Sequence, residues 1–392
     1  MSSTLDEICK FYSGTGFPNK FQGKTNGKYP FIKVGDISRT VKKGNITLTK
    51  SQNYINNDVV NKINGKIVPK DTIIFAKIGE ALKLNRRVIT NKECLIDNNI
   101  LGIKPKTNKI DLKYLFYFMN HLKLEKFSES TTVPSVRQTR LKSITINIPS
   151  IDEQLEIVNI LENINKAVLL KRKQLSKLDI LIKARFVEMF GDPANPINIW
   201  DPEKLGKICI LNPKKEKKLE NDDLDVSFVP MSAVSENGAI NTTKVKKYSE
   251  VKKGFTYFLE NDVLFAKITP CMENGKGAVA IGLKNKKGFG STEFHVLRPI
   301  KGKSNPYWLY TLTSFQSFRK LAELNMTGSA GQKRVPIKFL QNYKVVVPPI
   351  SLQNEFANFV QQVDKSKFEN IVYLNKTLSS KILSQIGDAI RD

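Results

Sequence analysis

Arginine and glutamine can hydrogen-bond bidentately to guanine and adenine edges, while lysine, serine and threonine serve phosphate oxygens. Loops of this 392-residue chain concentrate those types. Lys77, Lys83, Arg86 and Arg87 follow the apolar run Ile73-Ile74-Phe75-Ala76, and Lys267, Thr269 and Lys276 follow the similar run Val263-Leu264-Phe265-Ala266. Further on, the segment 131–140 holds Thr132, Ser135, Arg137, Gln138 and Arg140, and the segment 327–334 holds Ser329, Gln332, Lys333 and Arg334. Ser232 completes the set of candidate nucleic-acid contacts. Gly328 and Gly331 would let backbone approach a phosphate closely.

Groups for covalent chemistry are not assembled in the same way. The chain has no phosphate-binding G-x-x-x-x-G-K-[ST] loop and no N-P-P-[YF] or D-P-P-Y tetrapeptide. Phe11 to Gly16 superficially resembles a glycine-rich S-adenosylmethionine loop, but its spacing is one residue too long, and we read it as a turn. Glu250-Val251-Lys252 has the form of a nuclease tail without the Pro-Asp that should precede it. The two histidines, His121 and His295, lie in helix-like and strand-like contexts and suit a surface and a packed role. Four scattered cysteines (Cys9, Cys94, Cys209, Cys271) lack C-x-x-C spacing and read as buried small residues.

Composition supports a polyanionic partner. Lys plus Arg number 63 against 37 Asp plus Glu, a formal charge of +26. No stretch approaches the roughly 18 apolar residues of a membrane span, and the first residues lack a basic-then-apolar leader. The expectation is a soluble, cytoplasmic protein.

The loops recur because the chain does. Phe75-Ala76-Lys77-Ile78 returns as Phe265-Ala266-Lys267-Ile268, and Ile148-Pro149-Ser150-Ile151 as Val347-Pro348-Pro349-Ile350. A period of about half the chain is too long for a solenoid and implies two similar domains. The expected fold class is α+β, a mixed α/β domain of mostly short strands used twice, each copy followed by a long helix. Residues 1–150 form the first domain, 151–192 its helix, 193–350 the second domain and 351–392 the second helix. Asp71 and Asp262 lead the paired central strands, and Tyr114 and Trp308 occupy equivalent places in short helices. Leu161, Ile164, Val168, Leu175, Leu178 and Ile182 follow a heptad-like stripe, as do Val363, Ile371, Leu374, Leu378 and Ile382. Helices of roughly 35–40 residues span on the order of 50–60 Å. If they pack together they must run antiparallel, as a coiled-coil spacer that relates the domains by pseudo-two-fold symmetry.

On these residues the chain resembles the specificity subunit of type I restriction–modification systems. The similarity rests on 262–276, 291–299, Gly331-Gln332-Lys333-Arg334-Val335-Pro336, Pro149-Ser150-Ile151-Asp152-Glu153-Gln154 and Glu188-Met189-Phe190-Gly191-Asp192-Pro193. The resemblance implies two target-recognition domains, each reading one half of a split, asymmetric DNA sequence. It implies helices that set the unread spacer and dock two methyltransferase subunits, with the stripe residues as the partner-binding faces. S-adenosylmethionine would then belong to those subunits, and ATP and Mg2+ to restriction subunits, leaving this chain without catalysis or cofactor. A sequence-indifferent nucleic-acid-binding scaffold and a stand-alone DNA-modifying enzyme are the alternatives. The copies differ where Ala81-Leu82-Lys83 stands against Glu273-Asn274-Gly275-Lys276, and where Leu352-Gln353 replaces Glu153-Gln154.

Overall fold

The structure, a computed structural model, describes residues 2–106, 108–128, 134–197, 199–215, 221–329 and 331–390, with side chains up to 372. It divides into two compact units: Met1–Lys171 with Tyr373–Asp392, and Arg172–Val372.

In the first unit a five-stranded sheet runs in the order Cys9–Ser13, Ile100–Pro105, Ile73–Ala76, Arg87–Thr90, Thr47–Leu48. A second sheet places Tyr29–Ile32 between Tyr54–Ile55 and, in parallel, Leu95–Ile96. The second unit repeats the plan. One sheet orders Cys209–Leu211, Phe294–Pro299, Val263–Ala266 and Gly277–Val279; the other pairs Asp225–Val229 in parallel with Lys287–Gly290. In each copy the first and last strands close on one another, Ser2–Thr4 with Thr145–Asn147 and Pro202–Lys204 with Lys344–Val346.

The central strands read as unbroken apolar runs because both of their faces are covered. Ile73 and Phe75 join a cluster with Leu115, Phe116 and Leu141, while Ile74 faces Ile32, Val88 and Ile96. Val263 and Phe265 likewise pack with Trp308 and Phe318, and Leu264 and Ala266 with Val229 and Phe258. Tyr114 and Trp308 are buried equivalents, each the third residue after its N-cap, Asp111 or Asn305. Cys9, Cys94 and Cys209 are buried, with thiols pushed up to about 12 by desolvation, and Cys271 is half-buried.

Strand register places the two leading aspartates one position apart. Ile73 pairs with Ile103 and Val263 with Leu297, which aligns Asp262 with Thr72 rather than with Asp71. Asp71 corresponds to Asn261, and both take positive φ, 61° and 70°. Asp262 is buried and accepts Nε and Nη2 of Arg298, both at 2.8 Å. The Phe11–Gly16 segment continues the Cys9–Ser13 strand into a close approach. A Cβ on Gly14 would lie 1.9 Å from the Asp97 carbonyl, so packing explains that glycine.

Each long helix is anchored at its start by a buried glutamine. Gln154 Oε1 accepts the Asp111 amide (2.8 Å) and its Nε2 donates to the Lys109 and Pro149 carbonyls (2.8 and 3.0 Å). Gln353 Oε1 accepts the Asn305 amide (2.9 Å) and its Nε2 donates to Lys303 and Pro348 (3.1 and 2.9 Å). The divergent second start therefore keeps its anchor. Only the Ser150–Glu153 capping box is replaced, by Pro349, which has no amide to cap.

The first long helix, Ile151–Phe190, is continuous, as is the second, Ile350–Ile390. In the first unit Leu161 and Ile164 are buried and Val168 is half-buried, with Glu162 bonded to Lys113 at 2.6 Å. Within the second unit the two helices run antiparallel: Arg185 meets Glu355 at 3.0 Å, and Asp179 meets Lys367 at 2.8 Å. Phe186 and Phe190 clasp Phe356 there, at centroid distances of 5.4 and 5.7 Å. Leu175, Leu178 and Ile182 are half-buried and Val363 is buried. Ile371 departs from the expected seam and is 44% exposed. The side chains of Leu374, Leu378 and Ile382 lie outside the described residues.

Candidate nucleic-acid interface

The same backbone ladder seats the candidate loops in both copies. Lys77 donates its amide to Asn99 and accepts the Val136 amide, both at 2.9 Å, and Ile78 bridges Ser135. Lys267 donates to Glu293 and accepts Val335, again both at 2.9 Å, and Ile268 bridges Arg334. The ladder brings together residues far apart in sequence: Lys77 with Ser135, and Lys267 and Thr269 with Lys333 and Arg334.

It also resets the alignment of the loops. Ser135, and not a residue later in the segment, stands where Arg334 stands. Gln138 and Arg140 fall on a short helix, Gln138–Lys142, equivalent to Ile337–Asn342, with Arg137 at its N-cap. Gln138 there accepts the Ser13 hydroxyl at 3.2 Å. Thr132 lies outside the described residues.

In the second copy the hairpin 327–334 is closed by reciprocal amide bonds between Thr327 and Arg334 (3.0 and 2.8 Å). Gly328 and Gly331 take φ of 121° and 78°, where a side chain would be strained. Ser329, Gln332 and Lys333 project into solvent from this turn. Arg334 is half-buried: its Nε and Nη2 grip Glu293 (2.9 and 2.8 Å), and Nη1 donates to the Gln332 carbonyl (3.1 Å). That pairing holds the Glu293 carboxyl below its ordinary range.

The other candidates differ in availability. Lys83 is exposed and pairs with Glu80 at 2.7 Å, whereas Lys77 and Arg86 are half-buried. Ser232 is exposed on the turn Met231–Ala233, whose first carbonyl accepts Lys276 Nζ at 3.2 Å. Thr269 turns its hydroxyl inward to Glu273 at 2.7 Å. Arg87 cannot serve as a surface contact: it is 2% exposed and its guanidinium is spent on the Asn85 and Leu122 carbonyls. Burial lowers it to about 9, which still leaves it charged at neutral pH.

One feature escaped the sequence reading. A cleft of about 350 Å³ in the second unit is lined by Lys214, Lys215, Lys252 and Lys267 together with Phe255 and Tyr257. Its signal was the interleaving of lysine with aromatics in Pro213-Lys214-Lys215 and Lys252-Lys253-Gly254-Phe255, the pattern of a groove that tracks a phosphate backbone.

His295 is packed, as its strand context implied. Its Nε2 donates to the Val335 carbonyl (2.8 Å), leaving Nδ1 to accept from Asn212 (3.1 Å). Desolvation lowers its pKa. Glu250 accepts the Lys247 amide and pairs with Lys246, roles of a helix cap. Among the described residues no three His, Cys, Asp or Glu side chains gather as a metal site, and no helix is long and apolar enough to cross a membrane.

Comparison with known proteins agrees with the doubled plan. The family model described as "Type I restriction modification DNA specificity domain" matches residues 1–179 and again 198–379. The chain is 37% identical over 208 residues to the type I restriction enzyme EcoEI specificity subunit of Escherichia coli, covering 52% of this chain and 34% of that one. The Escherichia coli EcoAI specificity subunit is 36% identical over 234 residues, 57% of this chain and 39% of its own. The match thus spans little more than a third of each relative. The crystal structure of a type I restriction–modification S subunit from M. genitalium shares the fold at a TM-score of 0.50 and 15% identity, over 100% of this chain and 96% of that one. With the family match laid over both copies of one recognition fold, this chain belongs to the type I restriction modification DNA specificity domain family.

Proposed function

We propose that the chain is the DNA-recognition subunit of a type I restriction–modification complex, each domain reading one half of a bipartite, asymmetric target. One observation carries this reading. An identical backbone ladder seats Ser135 and Asn99 in one copy at the places that Arg334 and Glu293 hold in the other. A scaffold that is constant while its loop chemistry changes is what two readers of different sequences require. The net charge of +26 supplies the sequence-independent attraction to phosphate.

The helices would set the spacer between half-sites and dock two methyltransferase subunits, which would bring S-adenosylmethionine and extrude the target base. Exposed Ile180, Leu181 and Phe368 on the paired segments of the second unit suit such docking. Restriction subunits would bring ATP and Mg2+. On this reading the chain works in the cytoplasm and itself neither transfers methyl groups nor cleaves.

Selection of bound duplexes from a randomised library by the full chain tests the proposal. It should enrich two unlike half-sites at one fixed separation. Enrichment of a palindrome or a single block, or equal retention of all sequences with binding set by salt alone, would overturn it.

A further inference from the structure

Both domains bury an arginine against the aromatic ring of the central strand. Arg87 lies over Phe75, 5.8 Å from the ring centroid, and Arg319 over Phe265 at 4.3 Å. Arg87 donates Nη1 to the Asn85 carbonyl (3.0 Å) and Nη2 to the Leu122 carbonyl (2.9 Å). Arg319 donates Nη1 to Met272 (3.0 Å), Nη2 to Gly275 (3.4 Å) and Nε to Thr313 (2.6 Å).

The groups held are similarly placed. Asn85 and Gly275 each stand two residues before the strand that pairs with the central one, and both take positive φ, 51° and 87°. Leu122 and Thr313 lie at the carboxyl ends of the corresponding helices, Leu112–His121 and Pro306–Ser314.

The arginines themselves are not equivalent in sequence. Arg87 is the strand residue opposite Phe75, and the residue opposite Phe265 is Gly277. Arg319 reaches the same place from another helix, Gln316–Leu324. A Cβ on Gly277 would sit 2.8 Å from the Leu264 carbonyl oxygen and 3.2 Å from Arg319 Nη2, so a side chain there would crowd both the paired strand and the guanidinium. Two unrelated chain positions therefore deliver one group to one location.

A contact needed only for core packing could be apolar. A guanidinium is specific in supplying up to five N–H donors to carbonyls that a tight loop turns inward. In each domain part of that set, the Asn85 carbonyl in one copy and the Met272 and Gly275 carbonyls in the other, belongs to the loop that follows the central strand. That loop carries Lys83 and Arg86 or Thr269 and Lys276, and the remaining carbonyl, Leu122 or Thr313, ties it to a helix end. We propose that Arg87 and Arg319 are positioning residues that hold these loops in their DNA-reading conformation. The inference rests on the reading of both domains as DNA-recognition modules. A loop ordered beforehand loses less freedom on binding and discriminates more sharply.

Two measurements on the full chain test it. In Arg319→Met, hydrogen exchange at residues 269–277 should quicken about tenfold or more. Discrimination among duplexes substituted in one half-site should fall about tenfold or more, with the other half-site unaffected. Arg87→Met should do the same at residues 78–86 and the opposite half-site. Should a methionine variant not fold, the corresponding lysine variant keeps the charge with fewer, unforked donors, and an intermediate loss is expected. Native loop protection with full discrimination in a folded variant would overturn the proposal, as would an equal fall in affinity for every sequence. A wild-type chain without half-site preference would instead sink the DNA-recognition reading, and the exchange measurement would still decide whether the arginines order the loops.

Discussion

Arg334 is held in one orientation, because Glu293 and the Gln332 carbonyl bind three of its nitrogens. A long side chain so held surrenders less rotamer freedom on contact. Arg334→Ala is expected to reduce discrimination in one half-site by about 1–3 kcal/mol and to spare the other. Competition binding with single-base variants checks this, and a uniform loss across sequences would assign the residue to phosphate instead. His295 supports the same loop through the Val335 carbonyl. Its folded pKa is depressed, so the unfolded chain takes up the proton first. Its stabilising effect is therefore full above the ordinary value near 6.5 and lost as pH falls below it. Between about pH 7 and about pH 5, wild type should lose unfolding temperature more steeply than His295→Leu, which copies Leu101 of the first domain. Equal slopes would contradict this. At this scale the sequence showed which residue types crowd the loops. It did not show which were spent inside: Arg87 is consumed by carbonyls up to 35 residues away, a contact only the tertiary fold creates.

Elements were more legible than their registers. The central and closing strands, the helices that carry Tyr114 and Trp308 and both long helices follow from apolar period and from Gly and Pro punctuation. Asp71 and Asp262 each lead a central strand yet stand one position apart, as the matching of Phe75 with Phe265 already implies. The heptad stripe ran past the point where packing changes, leaving Ile371 exposed. Gln154 and Gln353 are the elements' common anchor. Gln154→Ala would strand one amide and two carbonyls and should destabilise the first unit by about 2–4 kcal/mol. A fall below about 1 kcal/mol in urea unfolding would show that water replaces the side chain. Inserting about four residues, one turn, between Ile157 and Phe190 adds about 6 Å of helix. The tolerated spacer should change while both half-sites persist, and an unchanged spacer would exclude the helix as ruler.

For the whole molecule, charge and duplication argue together. The excess of basic residues draws in any polyanion, so affinity should fall steeply with salt on every duplex. The difference between a target and a scrambled duplex should survive that fall, because base contacts do not release counterions. The copies share sheets, ladders, helix anchors and buried guanidiniums, and differ in the side chains those frames present. Methylome sequencing of a host carrying this chain with its methyltransferase tests that asymmetry most directly. The account predicts a chain-dependent motif of two different half-words separated by a fixed run of unread bases. A palindromic or contiguous motif, or a methylation pattern unchanged when the chain is removed, would contradict it.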